Sequence, residues 1–215
     1  MGHLVLISLH ADPTTPSGAG EGGGTHAYVR ELTVGLLQSQ WRLTVVTRWA
    51  DSGLPQRENL AANISIIRLQ IGPVAPIDKR LLNDFHTISL TEALRTLSGE
   101  HIDLIHSVYW NSGRLAQELA RSFYRPFVHT VISNGWRRLQ EGARNQPSAR
   151  VEIETLVFTA AFAVFCISHE ERYDLIEHYG VSRDKVIVVG RPVAPAFLCP
   201  CRDEYGRPSM PKLLL

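Results

Sequence analysis

GAGEGGGTHAYVRELTVGLL, residues 18–37, is a glycine-rich loop that runs directly into an amphipathic segment. Val29, Leu32 and Leu36 recur at helical spacing within it, so the pattern predicts a helix that begins as soon as the glycines end. A short apolar run, LVLISL, lies before the loop, and another, LTVVT, follows the helix. Strand, loop, helix and strand in this order are typical of one unit of an α/β fold.

Three consecutive glycines, Gly22, Gly23 and Gly24, lie at the end of this loop. Because they have no Cβ, an anionic group can approach the backbone N–H groups directly. The predicted helix leaves its first N–H groups unpaired at the same place, and its N-terminus carries partial positive charge. The residues predict either a phosphate site or a plain surface loop before a packed helix, and both interpretations stay open.

Length and composition allow one substantial hydrophobic core. The chain has 215 residues, of which 44% are apolar and 20% are charged, and its formal net charge is +1. This balance predicts no general attraction to nucleic acid or to an anionic membrane, so an anion must be bound by a local site. The opening residues, MGHLVLISLHADP, lack a basic leader, and their apolar run is too short for a membrane span. We therefore expect a cytoplasmic protein with no membrane span.

The three cysteines, Cys166, Cys199 and Cys201, do not form a disulfide framework, which favours a reducing compartment. Cys199 and Cys201 flank a proline, but no pair of His or Cys residues at zinc-ligand spacing accompanies them. We therefore expect no metal site.

Short apolar runs alternate with amphipathic stretches along the chain. Such runs are typical of parallel strands that helices cover on both faces. The sequence therefore predicts an α/β fold with a doubly wound, Rossmann-like parallel sheet, whose ligands lie at the carboxyl ends of the strands. The predicted strands are residues 4–9, 43–47, 64–69, 102–106, 127–131, 163–167 and 185–189. After the first helix, the predicted helices are residues 80–97, 112–123, 151–161 and 169–179.

The composition changes after the seventh strand, which divides the chain into three parts. Residues 1–190 form the Rossmann-like domain. Residues 191–211 are rich in proline, glycine and charge, as is typical of a linker between domains. Residues 212–215, KLLL, are predicted to begin a second domain, and a short edge strand of the first sheet fits the same residues.

Gly18, Gly20 and Gly23 also satisfy G-x-G-x-x-G, the dinucleotide-binding fingerprint. That fingerprint needs a tight turn directly after the first strand, whereas residues 10–17 intervene here. It also expects an acidic residue at the end of the second strand, where this chain has Arg48. Because an arginine suits a 2′-phosphate, an NADP-dependent reductase remains a minor alternative.

Several segments together resemble retaining family 4 glycosyltransferases of the GT-B fold. They are GGGTHAYVRELTVGLLQSQWRLTVVTR, IDLIHSVYWNSGRLAQELA, RPFVHTVISNG and RVEIETLVFTAAFAVFCISHEERYDLIEHYGVSRDKVIVVGRPV. They occur in the order of that family and cover nearly the whole chain. Sucrose-phosphate-synthase-like and mycothiol-type glycosyltransferases are the most similar. The resemblance implies that the chain is the N-terminal, acceptor-side domain of such an enzyme.

The resemblance implies sugar transfer from a nucleotide sugar, expected to be a UDP-sugar, with retention of configuration. The acceptor is a sugar, a polyol or a sugar phosphate, and the C-terminal domain of the same protein holds the nucleotide. Neither a cofactor nor a metal is expected, and nucleic acid is not a partner. Gly22, Gly23 and Gly24 are the expected diphosphate contacts, because backbone N–H groups at a helix N-terminus stabilise the charge of a departing diphosphate.

Four residues that follow the fourth strand, Tyr109, Trp110, Asn111 and Ser112, are expected to bind the acceptor. Their aromatic, amide and hydroxyl groups suit a polyol or a sugar. The two aromatic rings also suit a hydrophobic core, and the sequence leaves this alternative open.

Asn134 and Arg138, after the fifth strand, are further candidate acceptor contacts, and solvated loop residues are the alternative. Arg150, with Glu154 four residues later, matches the R-x-x-x-E motif of the family. The resemblance implies that this arginine holds an acceptor phosphate, as it does in some members, and its planar guanidinium suits that task. The alternative is an ordinary ion pair on a helix surface.

Apolar residues replace polar ones at four positions of the family pattern. Ile132 stands where the family has a His that contacts the donor sugar, and Val108, Phe162 and Ala194 stand where it has a His and two Asp residues. A hydrocarbon side chain forms no hydrogen bond, so the catalytic group is unknown. His129 is the remaining catalytic candidate near this position. On strand alternation it lies on the face opposite Thr130, which favours a buried, hydrogen-bonded role for it instead.

We therefore expect the chain alone to have negligible transferase activity, because the nucleotide-binding domain is not part of it. The alternative is a degenerate, non-catalytic transferase domain that binds a sugar or a partner protein.

Overall fold

The computed structural model describes residues 1–16, 23–143 and 147–191, together with the backbone of 201–202 and 208–209. Eight strands form the main sheet: β1 (His3–Ile7), β2 (Arg42–Arg48), β3 (Arg57–Ala61), β4 (Ile64–Leu69), β5 (Leu104–Val108), β6 (Phe127–Thr130), β7 (Ala163–Cys166) and β8 (Val186–Val188). Their order is β3-β4-β2-β1-β5-β6-β7-β8, and every neighbouring pair is parallel except β3 with β4. The predicted α/β class and the predicted parallel sheet are confirmed.

Six α-helices connect these strands. They are α1 (Gly24–Gly35), α2 (His86–Leu97), α3 (Trp110–Phe123), α4 (Gly135–Gln140), α5 (Arg150–Ala160) and α6 (His169–Glu177), and 3-10 turns lie at Lys79–Phe85 and Arg183–Lys185. Within the described residues, no helix has the length and apolar character that a membrane span requires.

Side-chain alternation in β1 separates the core into two clusters, one on each face of the sheet. Val5 and Ile7 pack with residues of α2, α3, α5 and α6, whereas Leu4 and Leu6 pack with α1. Helices therefore cover both faces, which explains why the strand sequences are apolar runs rather than alternating patterns.

Strand β3 and helix α4 are among the elements that the sequence did not predict. Strand β3, RENLA, is mostly exposed and pairs antiparallel at the sheet edge, so it lacks the buried apolar run that marked the other strands. Helix α4 has only six residues, and Asn134 begins it by accepting the N–H of Arg137 at 2.8 Å. So short a helix shows no apolar periodicity.

The helix predicted at residues 80–97 is divided in two. Asp78 accepts the N–H of Arg80 at 2.9 Å and starts the 3-10 turn, and α2 begins only at His86. The backbone at Phe85, with φ −93° and ψ 14°, departs from α-helical geometry and separates the two segments.

The predicted linker, residues 191–211, and the predicted start of a second domain, residues 212–215, lie largely outside the described residues. Within the linker, β9 (Cys201–Arg202) and β10 (Pro208–Ser209) form an antiparallel pair. Cys199 and Ala194 also lie outside the described residues. Both domain assignments stay predictions.

Candidate functional site

The candidate site lies where β1, β5 and β6 end. These three strands are neighbours in the sheet, so the segments that follow them meet at one edge. Helix α1 is tied to the same place, because the hydroxyl of Tyr28 lies 3.2 Å from Oγ1 of Thr130, the last residue of β6. The topology therefore brings together segments that are far apart in the sequence.

Gly23 and Gly24 lie at the start of α1, and Gly22 lies outside the described residues. Gly23 is the residue before the helix, Gly24 is its first residue, and both are exposed. No side chain caps the helix, and its first turn contains no acidic residue. This N-terminus therefore presents backbone N–H groups and partial positive charge to solvent, as an anion site requires.

Tyr109 has a strained backbone at the centre of the site. Its φ is 69° and its ψ is 152°, a region that residues other than glycine rarely adopt and that costs about 1–3 kcal/mol. Its N–H donates to the carbonyl of Thr130 at 3.1 Å, and its side chain is buried beside that of Trp110, with ring centroids 6.3 Å apart. Both rings belong to the core cluster on the α1 side. Tyr109 and Trp110 are therefore core residues, which was the alternative given for them, and contact of either ring with an acceptor stays a prediction.

Two cations lie over the Tyr109 ring. The Cζ atom of Arg150 is 5.4 Å from the ring centroid, and Nζ of Lys79 is 5.9 Å from it. The same Cζ atom is 5.5 Å from the ring centroid of Trp110. Such contacts contribute about 0.5–2 kcal/mol each, depending on burial. The arrangement brings two cationic side chains to the Tyr109 ring.

The alternative of a surface ion pair for Arg150 and Glu154 is wrong. Nε of Arg150 donates to Oε1 of Glu154 at 2.7 Å, and only 3% and 0% of the two side chains are exposed. Glu154 also accepts the N–H of Gly135 at 2.7 Å and the hydroxyl of Tyr179 at 2.5 Å. Burial and the Glu154 carboxylate raise the pKa of Tyr179. Nη2 of Arg150 donates to the carbonyl of Ser133 at 2.7 Å, so the guanidinium is held in one orientation.

The sequence did not identify His10, which follows β1, as a site residue. Its ring lies 4.7 Å from the Tyr109 ring and 6.0 Å from the His26 ring. Burial, followed by the positive charges of Lys79 and His26, lowers the pKa of His10 to about 3, against an opposing hydrogen bond from Asn111. Its Nδ1 atom is buried and has no hydrogen-bond partner among the described residues. A neutral imidazole with an unused nitrogen suits a ligand hydroxyl.

Asn111 and Ser112, predicted as acceptor contacts, lie buried in the first turn of α3. The Asn111 amide donates to the carbonyl of Lys79 at 3.3 Å, and the Ser112 hydroxyl accepts the N–H of Leu9 at 3.0 Å. Both side chains therefore connect the loops of the site to one another, and direct acceptor contact stays a prediction.

Asn134 and Arg138, the candidates after β6, lie in different environments. Asn134 is buried, and its amide donates to Asp174 at 3.2 Å in addition to capping α4. Arg138 is exposed on α4. Its neighbour Arg137 forms an ion pair with Asp174 at 2.6 Å. Asn134 thus has a clear structural role, and the acceptor role of both candidates stays a prediction.

His129 lies in the core on the α5 side of the sheet, as strand alternation predicted. Its ring is 5.1 Å from that of Phe158, and burial lowers its pKa to about 3. Nδ1 lies 2.8 Å from the Ser107 hydroxyl, whereas the buried Nε2 has no partner among the described residues. The expected hydrogen bonding is therefore present at one nitrogen. Ile132 is 9% exposed and packs on the opposite, α1 side.

Arg48, on which the reductase alternative depended, is 4% exposed. Its Nη1 atom donates to the carbonyl of Ala75 at 3.0 Å. The guanidinium therefore anchors the loop after β4. Within the described residues, no three His, Cys, Asp or Glu side chains are grouped as a metal site requires.

The sequence profile of the glycosyl transferase 4-like domain matches residues 23–192. A D-inositol 3-phosphate glycosyltransferase from Paenarthrobacter aurescens is 30% identical over 192 residues, which cover 86% of this chain and 47% of that protein. A protein of the same name from Frankia alni is 32% identical over 189 residues, with 84% and 46% covered. The chain thus spans about half the length of the curated relatives it matches.

Solved structures share the fold. Sucrose-phosphate synthase from Thermosynechococcus elongatus has a TM-score of 0.80 and 26% identity, over 88% of this chain and 48% of that one. Anabaena HepE, in complex with UDP and glucose, has a TM-score of 0.55 and 12% identity, over 90% and 45% of the two chains. At that identity the second likeness shows the fold alone.

Proposed function

The chain belongs to the glycosyl transferase 4-like domain family, and on this basis we propose that it is the acceptor-side half of a retaining glycosyltransferase of the GT-B fold. The observation that carries the proposal is the family match over residues 23–192. The geometry supports it, because the α1 N-terminus and the cluster around Tyr109 lie at the same edge of the sheet.

The proposed acceptor is a polyol or sugar that carries a phosphate. Lys79 and Arg150 supply two positive charges over the Tyr109 ring, and a guanidinium binds phosphate oxygens in pairs. In this proposal the neutral imidazole of His10 bonds a hydroxyl group of the same molecule, and the support is its contact with the Tyr109 ring and an Nδ1 atom that has no partner among the described residues. The names of the relatives from P. aurescens and F. alni make inositol 3-phosphate the first acceptor to test.

The proposed donor is a nucleotide sugar, with UDP-sugars the first to test. During transfer the bond between C1 of the sugar and the diphosphate oxygen breaks, and the diphosphate leaves with the electron pair. An acceptor hydroxyl oxygen bonds to C1 on the same face, and its proton passes to the departing diphosphate oxygen. In this proposal the N–H groups at Gly23 and Gly24 stabilise the charge of the leaving diphosphate, so neither a metal nor a cofactor is needed.

We propose that the natural protein continues beyond Leu215 into a nucleotide-sugar-binding domain. The support is that the matched relatives are about twice as long as this chain. With half of the donor site missing, the 215-residue chain has negligible transferase activity in this proposal. A cytoplasmic location is part of the same proposal.

The test compares the 215-residue chain with the full-length gene product. Both are incubated with UDP-, ADP- and GDP-sugars and with inositol 3-phosphate or sugar-phosphate acceptors. Transfer by the longer protein alone agrees with the proposal. Efficient transfer by the shorter chain contradicts the need for a second domain, and no transfer by either contradicts the transferase proposal.

Ile132 is the observation that favours a second candidate, a non-catalytic domain that binds a sugar or a partner protein. It places an apolar side chain in the core where the family has a hydrogen-bonding His. The full-length Ile132→His variant separates the two candidates. A large gain in transfer rate indicates a degenerate catalyst, whereas the absence of transfer in both proteins favours the binding domain.

A further inference from the structure

Arg191 follows β8 and lies close to Gly24, the first residue of α1. Its Nη2 atom donates to the carbonyl of Ile132 at 3.0 Å. Its Nη1 atom lies 3.5 Å from the position that a Cβ on Gly24 would occupy. The guanidinium therefore lies between the segment that follows β6 and the first residue of α1.

This is an unfavourable place for a cation when no anion is bound. The N-terminus of α1 carries partial positive charge, and neither a capping side chain nor an acidic residue in the first turn reduces it. Arg191 adds a full positive charge beside it and is exposed. Two independent positive groups thus converge on the same space, which is what a doubly charged anion requires.

Glu171 is a carboxylate close enough to interact electrostatically with Arg191. It is 7% exposed and accepts the N–H of Ile167 at 3.1 Å, so it is bonded to the segment that follows β7. It helps to orient Arg191, and the α1 N-terminus remains without an acidic partner in its first turn.

We propose that Arg191 binds the diphosphate of the nucleotide-sugar donor and stabilises the charge that the nucleoside diphosphate gains as it leaves. This inference rests on the proposed function. Arg191 stays protonated throughout and supplies N–H donors opposite those of Gly23 and Gly24.

The contact with Ile132 fixes the position of Arg191. The backbone carbonyl of Ile132 accepts the guanidinium and holds it beside the start of α1. The charged group therefore comes from the segment after β8.

The test uses the full-length gene product and its Arg191→Ala and Arg191→Lys variants. Arg183→Ala is the matched control. Arg183 is exposed and comes before β8, whereas Arg191 comes after it, so the two arginines lie at opposite ends of that strand. Titration calorimetry measures the Kd of UDP and of inorganic pyrophosphate, and initial rates give kcat and the KM of donor and acceptor. Circular dichroism confirms that each variant is folded.

We expect Arg191→Ala to weaken UDP and pyrophosphate binding by about 10- to 100-fold, the range for loss of a charged hydrogen bond. The donor KM rises with it, and the acceptor KM stays unchanged. Arg191→Lys restores part of the binding, because the charge returns without the planar fork of donors. Arg183→Ala has no effect.

The outcomes separate this inference from the function on which it rests. A wild-type enzyme that transfers sugar and an Arg191→Ala variant with unchanged UDP affinity overturn the role of Arg191 alone. A wild-type protein that neither transfers sugar nor binds UDP overturns both. Loss of pyrophosphate binding in Arg191→Ala, in a protein that transfers no sugar, supports the anion contact and contradicts the transferase function.

Discussion

Arg150 and Glu154 form an ion pair inside the protein, with Nε and Oε1 2.7 Å apart and 3% and 0% of the side chains exposed. Their four-residue spacing is the same as that of many pairs on helix surfaces. Here α4, the segment after β6 and Tyr179 cover them, and each of these contributes a hydrogen bond to the pair. The site therefore contains a fixed guanidinium rather than a mobile surface charge.

The first prediction concerns the stability of this pair. Arg150→Met leaves the Glu154 carboxylate buried without its cation, so the free energy of unfolding falls by about 3–5 kcal/mol. Arg114 and Glu118 have the same spacing but a distance of 3.6 Å, and 46% and 29% of their side chains are exposed. Arg114→Met therefore lowers stability by less than about 1 kcal/mol. Urea denaturation of both variants checks this, and equal losses would contradict a structural role for the burial of the pair.

The second prediction concerns the acceptor phosphate. Lys79→Met removes one of the two cations over Tyr109, so the KM for a phosphorylated acceptor rises about tenfold or more. The KM for the donor and for the same acceptor without its phosphate stays unchanged. Lys185→Met is the control, because the Lys185 ammonium bonds the carbonyl of Thr159 at 2.9 Å, away from the site. An equal rise in KM for both acceptors would show that Lys79 does not bind the phosphate.

The third prediction concerns pH. Burial lowers the pKa of His106 to about 4, and burial is also the main cause that lowers the pKa of His10 and His129 to about 3. The unfolded chain, with histidine pKa values of about 6.5, binds more protons than the folded chain below that pH. Stability is therefore complete above about pH 6.5 and falls as the pH decreases, by up to about 1.4 kcal/mol per pH unit for each His.

His106→Gln isolates one of these contributions. A glutamine amide can still bond Oγ1 of Thr130, which lies 2.7 Å from Nε2 of His106, but it does not titrate. The slope of stability between about pH 4.5 and 6 becomes shallower by up to about 1.4 kcal/mol per pH unit. An unaltered slope in His106→Gln would show that His106 is protonated in the folded protein.

The fourth prediction concerns Tyr124, which ends α3 in the left-handed region with φ 55° and ψ 46°. Its side chain is 91% exposed, so it contributes little packing. Tyr124→Gly removes the Cβ strain of about 1–2 kcal/mol and adds about 0.5–1 kcal/mol of unfolded-state entropy, which leaves a net stabilisation of about 0.5–1 kcal/mol. Tyr124→Ala keeps the Cβ and gives no such gain. A thermal melt in which both variants behave alike would contradict this.

The parts of the fold that the sequence predicted are those whose residues are buried on both sides. Parallel strands such as β1, β2 and β4 are buried along nearly their whole length and rich in apolar residues, so each was recognisable from a few consecutive residues. Strand β3 and helix α4 were not predicted. Strand β3 lies at the sheet edge, and helix α4 is short and is capped by a single side chain. Neither has a hydrophobic pattern, so their existence depends on tertiary contacts.

Less of the site was predictable. The family motif identified Arg150, but its burial depends on α4 and Tyr179, which no local pattern joins to it. His10 and Lys79 were not identified, because each is a single residue outside the apolar patterns. The adjacency of β1 and β5 brings His10 to Tyr109, and the 3-10 turn after β4 brings Lys79 there. A rule that lists every polar residue directly after a strand would have found His10. The contact of Arg191 with Ile132 joins segments 59 residues apart and has no local signal.

The most direct measurement of the central claim is the transfer reaction of the full-length gene product, followed by NMR of the purified product. The account predicts transfer from an α-linked UDP-sugar to inositol 3-phosphate or to another phosphorylated polyol or sugar, with an α linkage in the product. The 215-residue chain gives no product under the same conditions. A β linkage would contradict the retaining assignment, and the absence of product from every nucleotide sugar tested would contradict the transferase function itself.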